Sequence, residues 1–141
     1  MSGDRHFFDT NILVYSFDAS SPKKARRAED LIHAGLASGL GTISYQVVQE
    51  FIAVARSRFR TPMTLEEIEV YWERTLRPLL AVHSSPSLFV SALELCRASR
   101  LSWYDSLIVA AAMQGGCKIL YSEDLQQDRR FGSLRVENPF S

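Results

Sequence analysis

The sequence predicts an α/β fold of three layers, helix over sheet over helix, with a mainly parallel central sheet of about 4–5 strands. Three observations predict it. Short apolar runs of strand length alternate with longer segments of helical period. Helix-start and helix-stop residues separate them at regular intervals. One segment, Ser102 to Gln114, is apolar nearly all round, as befits a helix packed centrally against a sheet.

The elements follow in order. Residues 5–9 read as a short buried strand, and Ile12 to Phe17 as a short helix. Pro22 opens a long helix to about Ser38, at a position where its missing N–H costs little. Gly35 and the run Gly39-Leu40-Gly41 are expected to close it. Thr42 to Ser44 is a second strand. Ser44 then caps a helix from Tyr45 to about Arg58, whose apolar residues Val47, Val48, Phe51, Ile52 and Ala55 share one face. Thr64 and Glu67 fit a capping box at the head of the next helix. Leu79 to Val82 is a candidate strand, and Pro86 begins a helix to about Arg100. Gly115-Gly116 ends the apolar helix. Lys118 to Tyr121 is a strand, with Leu134 to Val136 as a further candidate.

Composition narrows the function classes. A chain of 141 residues, 46% apolar and 23% charged, suits one globular domain over 1–141 and argues against disorder. No apolar run approaches the roughly 18 residues of a membrane helix. No secretory pattern is expected, because Asp4 and Arg5 precede a short strand-like run with no small-residue cleavage site after it. Cys96 and Cys117 lie in no CxxC or Cys/His cluster, so a zinc site or disulfide framework is not expected. Both read as buried thiols in a reducing cytoplasm. The formal net charge is zero.

The chemistry lies in acids. In an α/β layer the C-terminal ends of strands and the N-terminal ends of helices share one edge, where ligands bind. Asp9 ends the first strand, and Glu50 sits in the first two turns of the helix after the second. Asp105 is in the first turn of the apolar helix, which rises roughly 18 Å before the chain returns as a strand to Asp124. Topology thus delivers four acids to one edge. Each alone has a plainer role: Asp9 as a helix cap, Asp105 in a capping box with Ser102, Glu50 as a solvated helical acid, Asp124 and Glu123 as turn acids. The functional case rests on the set. Four ionised carboxylates in one cleft need a hard cation between them. Oxygen-only donors suit Mg²⁺ or Mn²⁺ rather than zinc. Such an ion acidifies a water that can attack a phosphodiester, and both one-ion and two-ion sites remain open. Thr10, Asn11 and Ser122 are candidates to orient the carboxylates or a water.

The stretches FFDTNILVYSFD, ISYQVVQEF, LSWYDSLIVAAAMQGGCKILYSEDLQ and VENPF together resemble a PIN-domain ribonuclease, specifically the VapC-type toxin of type II toxin–antitoxin systems. The resemblance spans nearly the whole chain. It implies a PIN-like fold and places the family's acidic quartet on Asp9, Glu50, Asp105 and Asp124. Glu123 and Asp128 are possible substitutes for Asp124, which is preferred because Ser122-x-Asp124 matches the family's hydroxyl-x-Asp pattern. It further implies a Mg²⁺- or Mn²⁺-dependent endoribonuclease, a homodimer, and a small antitoxin that blocks the site. tRNA and rRNA are the candidate substrates.

Basic residues cluster at Lys23, Lys24, Arg26 and Arg27, at Arg56, Arg58 and Arg60, and at Arg129 and Arg130. Such clusters contact phosphates or simply solvate helix faces. Arg56, Arg58 and Arg60 are the leading RNA candidates because they follow the helix of Glu50, although its end points to the opposite edge. Tyr71, Trp72 and Leu76 are candidates either for an antitoxin groove or for ordinary core. The competing function is a non-enzymatic PIN-like module that binds RNA or protein. A haloacid-dehalogenase-type phosphatase fits poorly, since it needs an Asp where Asn11 stands.

Overall fold

A computed structural model describes residues 3–141. The elements are β1 (His6–Phe8), α1 (Thr10–Tyr15), α2 (Pro22–Ser38), β2 (Gly41–Ser44), α3 (Tyr45–Ser57) and α4 (Leu65–Tyr71). A π-helical turn (Trp72–Leu76) leads into α5 (Arg77–Leu79), followed by β3 (Leu80–Val82), α6 (Pro86–Ser99), α7 (Trp103–Gln114), β4 (Ile119–Tyr121), β5 (Arg130–Phe131) and β6 (Leu134–Glu137).

The sheet has six strands in the order β3-β2-β1-β4-β6-β5, rather than the four or five expected. All neighbours run parallel except β5, which pairs antiparallel with β6. The two-residue strand β5 is too short to show a period-two pattern, which is why the sequence hides it. Consecutive strand residues point to opposite faces. Phe7 and Phe8 are both fully buried, and so are Thr42 and Ile43, so helices cover both faces of the sheet. In α7 an unbroken run from Ser106 to Ala112 is buried, in keeping with its all-round apolarity.

Helix ends obey local chemistry. Ser44 Oγ accepts from Val47 N, Ser85 Oγ from Leu88 N, and Ser102 Oγ from Asp105 N. Thr64 and Glu67 form the full capping box. Gly39 ends α2 at φ 74°, a left-handed conformation glycine adopts freely. Gly35, by contrast, does not stop α2 but lies inside it. A Cβ there would lie 3.0 Å from the Phe8 ring and 3.1 Å from Gly41 Cα, so its role is to let α2 approach β1 and β2.

Of the two roles open to Tyr71, Trp72 and Leu76 in α4 and the π-helical turn, ordinary core fits better. Leu76 is fully buried, and Tyr71 packs 4.9 Å from Phe51 and 5.2 Å from Phe17. Among the described residues no helix is long and apolar enough to cross a membrane.

Candidate active site

Register sets the position of Asp9. Phe8 pairs with Tyr121, and Asp9 N donates to Tyr121 O at 3.0 Å, so Asp9 and Ser122 are neighbours just past the ends of β1 and β4. Both are buried. Ser122 Oγ donates to Asp9 Oδ2 at 2.7 Å and accepts from the backbone N–H groups of Asp124 and Leu125 at 3.2 and 3.4 Å. Thr10 N donates to Asp9 Oδ1 at 2.7 Å. One serine hydroxyl therefore ties Asp9 to the turn that carries Asp124.

The other acids are held in the same way. Thr10 Oγ1 donates to Glu50 Oε1 at 2.6 Å, and Asn11 Nδ2 donates to Asp124 Oδ2 at 3.1 Å. Residues 9 to 11 thus touch, or are, part of three acids. Gln46 is a contact that the sequence reading missed. Its amide donates to Glu50 Oε2 at 3.2 Å and to Tyr104 O at 3.4 Å, joining the start of α3 to the start of α7. Its spacing of four residues before Glu50 on one helix face was the available signal.

Asp105 stands apart. Ser102 caps its N–H, but the reciprocal half of a capping box is not formed, and among the described residues its half-buried carboxylate makes no hydrogen bond. Asp9 lies within electrostatic reach of both Glu50 and Asp124, whereas Asp105 is linked to Glu50 through Gln46 and the backbone of Tyr104. Among the described residues no three His, Cys, Asp or Glu side chains come close enough to enclose a metal ion. The common edge is therefore present but the tight quartet is not. Like charges repel at short range, and hydroxyl and amide donors hold three of the acids in place.

Glu123 and Asp128 are engaged elsewhere. Glu123 accepts from the Tyr15 hydroxyl and pairs with Lys24 at 2.7 Å. The lysine bond first, and the tyrosine bond second, hold its carboxyl below the usual range. Asp128 faces Arg135 at 3.6 Å. Arg56, Arg58 and Arg60 are exposed at the far end of α3, roughly 12 Å along the helix from Glu50 to Arg58.

Burial is the main influence on Asp9 and raises its pKa to about 6; hydrogen bonds from Ser122 and Thr10 oppose this, while the charges of Asp124 and Glu50 add to it. Among the described residues no Lys, Arg or His forms a salt bridge with Asp9, Glu50, Asp105 or Asp124. Asn11 Oδ1 is also buried without a hydrogen-bond partner. Carboxylates and a free amide oxygen, with no nitrogen or sulfur donor, match a hard divalent cation that keeps much of its water. The residues present fit Mg²⁺ or Mn²⁺.

Comparison with known proteins agrees with this architecture. The family model of the PIN domain matches residues 6–131. No curated protein matches the sequence. Several solved structures share the fold. A toxin–antitoxin complex from Klebsiella pneumoniae is 18% identical, with a TM-score of 0.67 over 95% of this chain and 97% of that one. VapBC2 from Rickettsia felis, bound to a DNA fragment from its promoter, is 16% identical, with a TM-score of 0.67 over 94% and 97%. VapC20 from Mycobacterium tuberculosis, a toxin that cleaves the sarcin–ricin loop, is 21% identical, with a TM-score of 0.58 over 84% and 89%. Since the family model spans most of the chain and the strand order places its acids on one edge, the protein belongs to the PIN domain family.

Proposed function

We propose that the protein is a VapC-type toxin, a Mg²⁺- or Mn²⁺-dependent endoribonuclease held in check by a small cognate antitoxin. One observation carries the reading. A buried aspartate, Asp9, sits beside two further acids at the end of a parallel sheet, with no basic side chain among the described residues paired to any of them. Stable folds rarely keep such a charge buried unless it is used.

Asp9, Glu50, Asp105 and Asp124 are the proposed metal-binding and catalytic residues. A bound divalent ion supplies charge neutralisation and lowers the pKa of water. Ser122 fixes the rotamer of Asp9, Thr10 that of Glu50, and Asn11 that of Asp124. Gln46 keeps Glu50 close to the first turn of α7, where Asp105 lies. The toxin–antitoxin relatives support an antitoxin partner, and the ribosomal target of the M. tuberculosis relative makes rRNA the first substrate to test, with tRNA next. A homodimer working in the cytoplasm belongs to the same reading.

The test is RNA cleavage by the purified protein. Cleavage is expected in Mg²⁺ or Mn²⁺, is expected to stop in EDTA, and should return when the ion is restored. Asp9→Asn should lower the rate by on the order of 100-fold or more, since even residues that only orient metal ligands are typically worth 10–100-fold. EDTA-resistant cleavage, or a wild-type rate from Asp9→Asn, contradicts the proposal. The alternative, a non-enzymatic module, draws on the bond from Thr10 N to Asp9, which lets the acid serve as a cap. An absence of cleavage with every RNA tested favours that reading.

A further inference from the structure

Beside the acids, on the β3 side, the same edge opens into a recess of about 180 Å³. It lies between the first turns of α3 and α7 and the connection from β3 to α6. Val82 and Leu107 are buried in its floor, while Tyr45, His83 and Tyr104 stand exposed around its mouth. The Tyr45 and His83 rings are 6.4 Å apart. Tyr45 and Tyr104 leave 47% and 64% of their surface in water, a large exposed aromatic area at the edge where the chemistry is proposed.

Three properties select an occupant. The first is size: a cavity of about 150 Å³ accommodates a benzene molecule, so this one suits a single planar ring and excludes a base pair. The second is charge. Among the described residues no Lys, Arg, Asp or Glu lines the recess, and its one basic side chain, His83, stands exposed at the mouth. Flat aromatic faces with neutral amide and hydroxyl groups suit a neutral heterocycle. The third is continuity. Gln46 forms part of the wall, and its amide bridges Glu50 and the backbone of Tyr104, whose next residue is Asp105. The recess and the acids share that wall.

We propose that the recess binds one unpaired nucleobase, from a nucleotide flanking the phosphate that lies at the acids. Tyr45 and Tyr104 supply the stacking faces, and substrate choice at that nucleotide is made there rather than at the acids. The identity of the substrate rests on the nuclease reading above. Base binding, however, is measurable without cleavage, so the two stand or fall separately.

The experiment uses the Asp9→Asn protein in Mg²⁺, so that RNA stays intact. Its probes are a fluorescently labelled short oligouridylate and the same ribose-phosphate chain with its bases removed, with binding followed by anisotropy. Oligouridylate is expected to bind more tightly than the abasic chain. Tyr45→Ala and Tyr104→Ala should each weaken oligouridylate binding by about 5- to 100-fold and leave the abasic chain unaffected. Tyr45→Phe and Tyr104→Phe, which keep the ring, should restore most of the loss. Equal affinity for the two probes overturns the proposal, as does undetectable binding or unchanged binding in both alanine variants. A drop in sedimenting mass on either alanine substitution also overturns it, because the aromatic mouth is then a contact between two copies of the chain. Metal-dependent cleavage by the wild-type protein, assayed separately, reports on the nuclease reading alone.

Discussion

Asp9 concentrates the cost of the site in one side chain. Burial raises its pKa from 3.8 to about 6, so between those values the folded protein binds more protons than the unfolded chain. Stability therefore falls as pH rises through that window, and above it the ionised carboxylate burdens the metal-free fold by at most about 3 kcal/mol. Asp9→Asn removes this titration. In EDTA at pH 7.5 the variant is expected to be more stable than wild type by about 1–3 kcal/mol, with the difference vanishing toward pH 4; denaturant unfolding across this range checks it. A wild-type-to-variant difference that stays constant over this window contradicts the assignment. Ser122 is the companion case. Its hydroxyl meets Asp9 and two backbone N–H groups in a buried setting. Ser122→Ala leaves those groups without it, and is expected to cost about 1–3 kcal/mol in stability and 10–100-fold in cleavage rate. An unchanged cleavage rate shows that Ser122 does not orient Asp9 for chemistry. Sequence placed Asp9 and Ser122 near one edge because both follow strands. It did not reveal that Tyr15 and Lys24 occupy Glu123, because that contact spans 99 to 108 residues and follows no local period.

Among the elements, helices were the most legible and close packing the least. The bounds of α2, α3, α6 and α7 follow from Pro22, Ser44, Pro86 and Ser102, since caps and prolines act within one turn of their own position. The π-helical turn at Trp72–Leu76 was not legible. It inserts one residue into the helical period, so apolar positions there looked like an exposed stripe while Leu76 went to the core. Gly35 misled for a related reason: glycine marks either a helix end or a close approach, and only the packing partner distinguishes them. Gly41 makes the complementary contact from β2. A Cβ there would lie 2.9 Å from Gly35 Cα and 3.0 Å from Leu79 and Phe8 side-chain atoms. Since one of those neighbours is backbone, α2 must move outward. Gly41→Ala is expected to destabilise the protein by about 1–3 kcal/mol, read as a lowered unfolding midpoint. A neutral result means that α2 sits farther from the sheet in solution.

At the scale of the whole molecule, strand order brings the ends of β1, β2 and β4 side by side, and with them residues from positions 9 to 124. That much was legible, because parallel strands joined by helices have few permitted arrangements. Solved structures only 16–21% identical share the fold. Hydrogen-bond donors on residues 10, 11 and 122 hold Asp9, Glu50 and Asp124, and Gln46 links Glu50 to the helix of Asp105. How close the carboxylates come was not legible, because side-chain rotamers are chosen by local donors and mutual repulsion rather than by topology. In the proposed function a shared ion draws the four acids together. Mn²⁺ binding followed by calorimetry, on wild type and on Asp9→Asn, Glu50→Gln, Asp105→Asn and Asp124→Asn, tests this most directly. Saturable binding to wild type that weakens in all four variants, Asp105→Asn included, is the expected result. Binding that survives every substitution, or no binding to wild type, contradicts a common metal site.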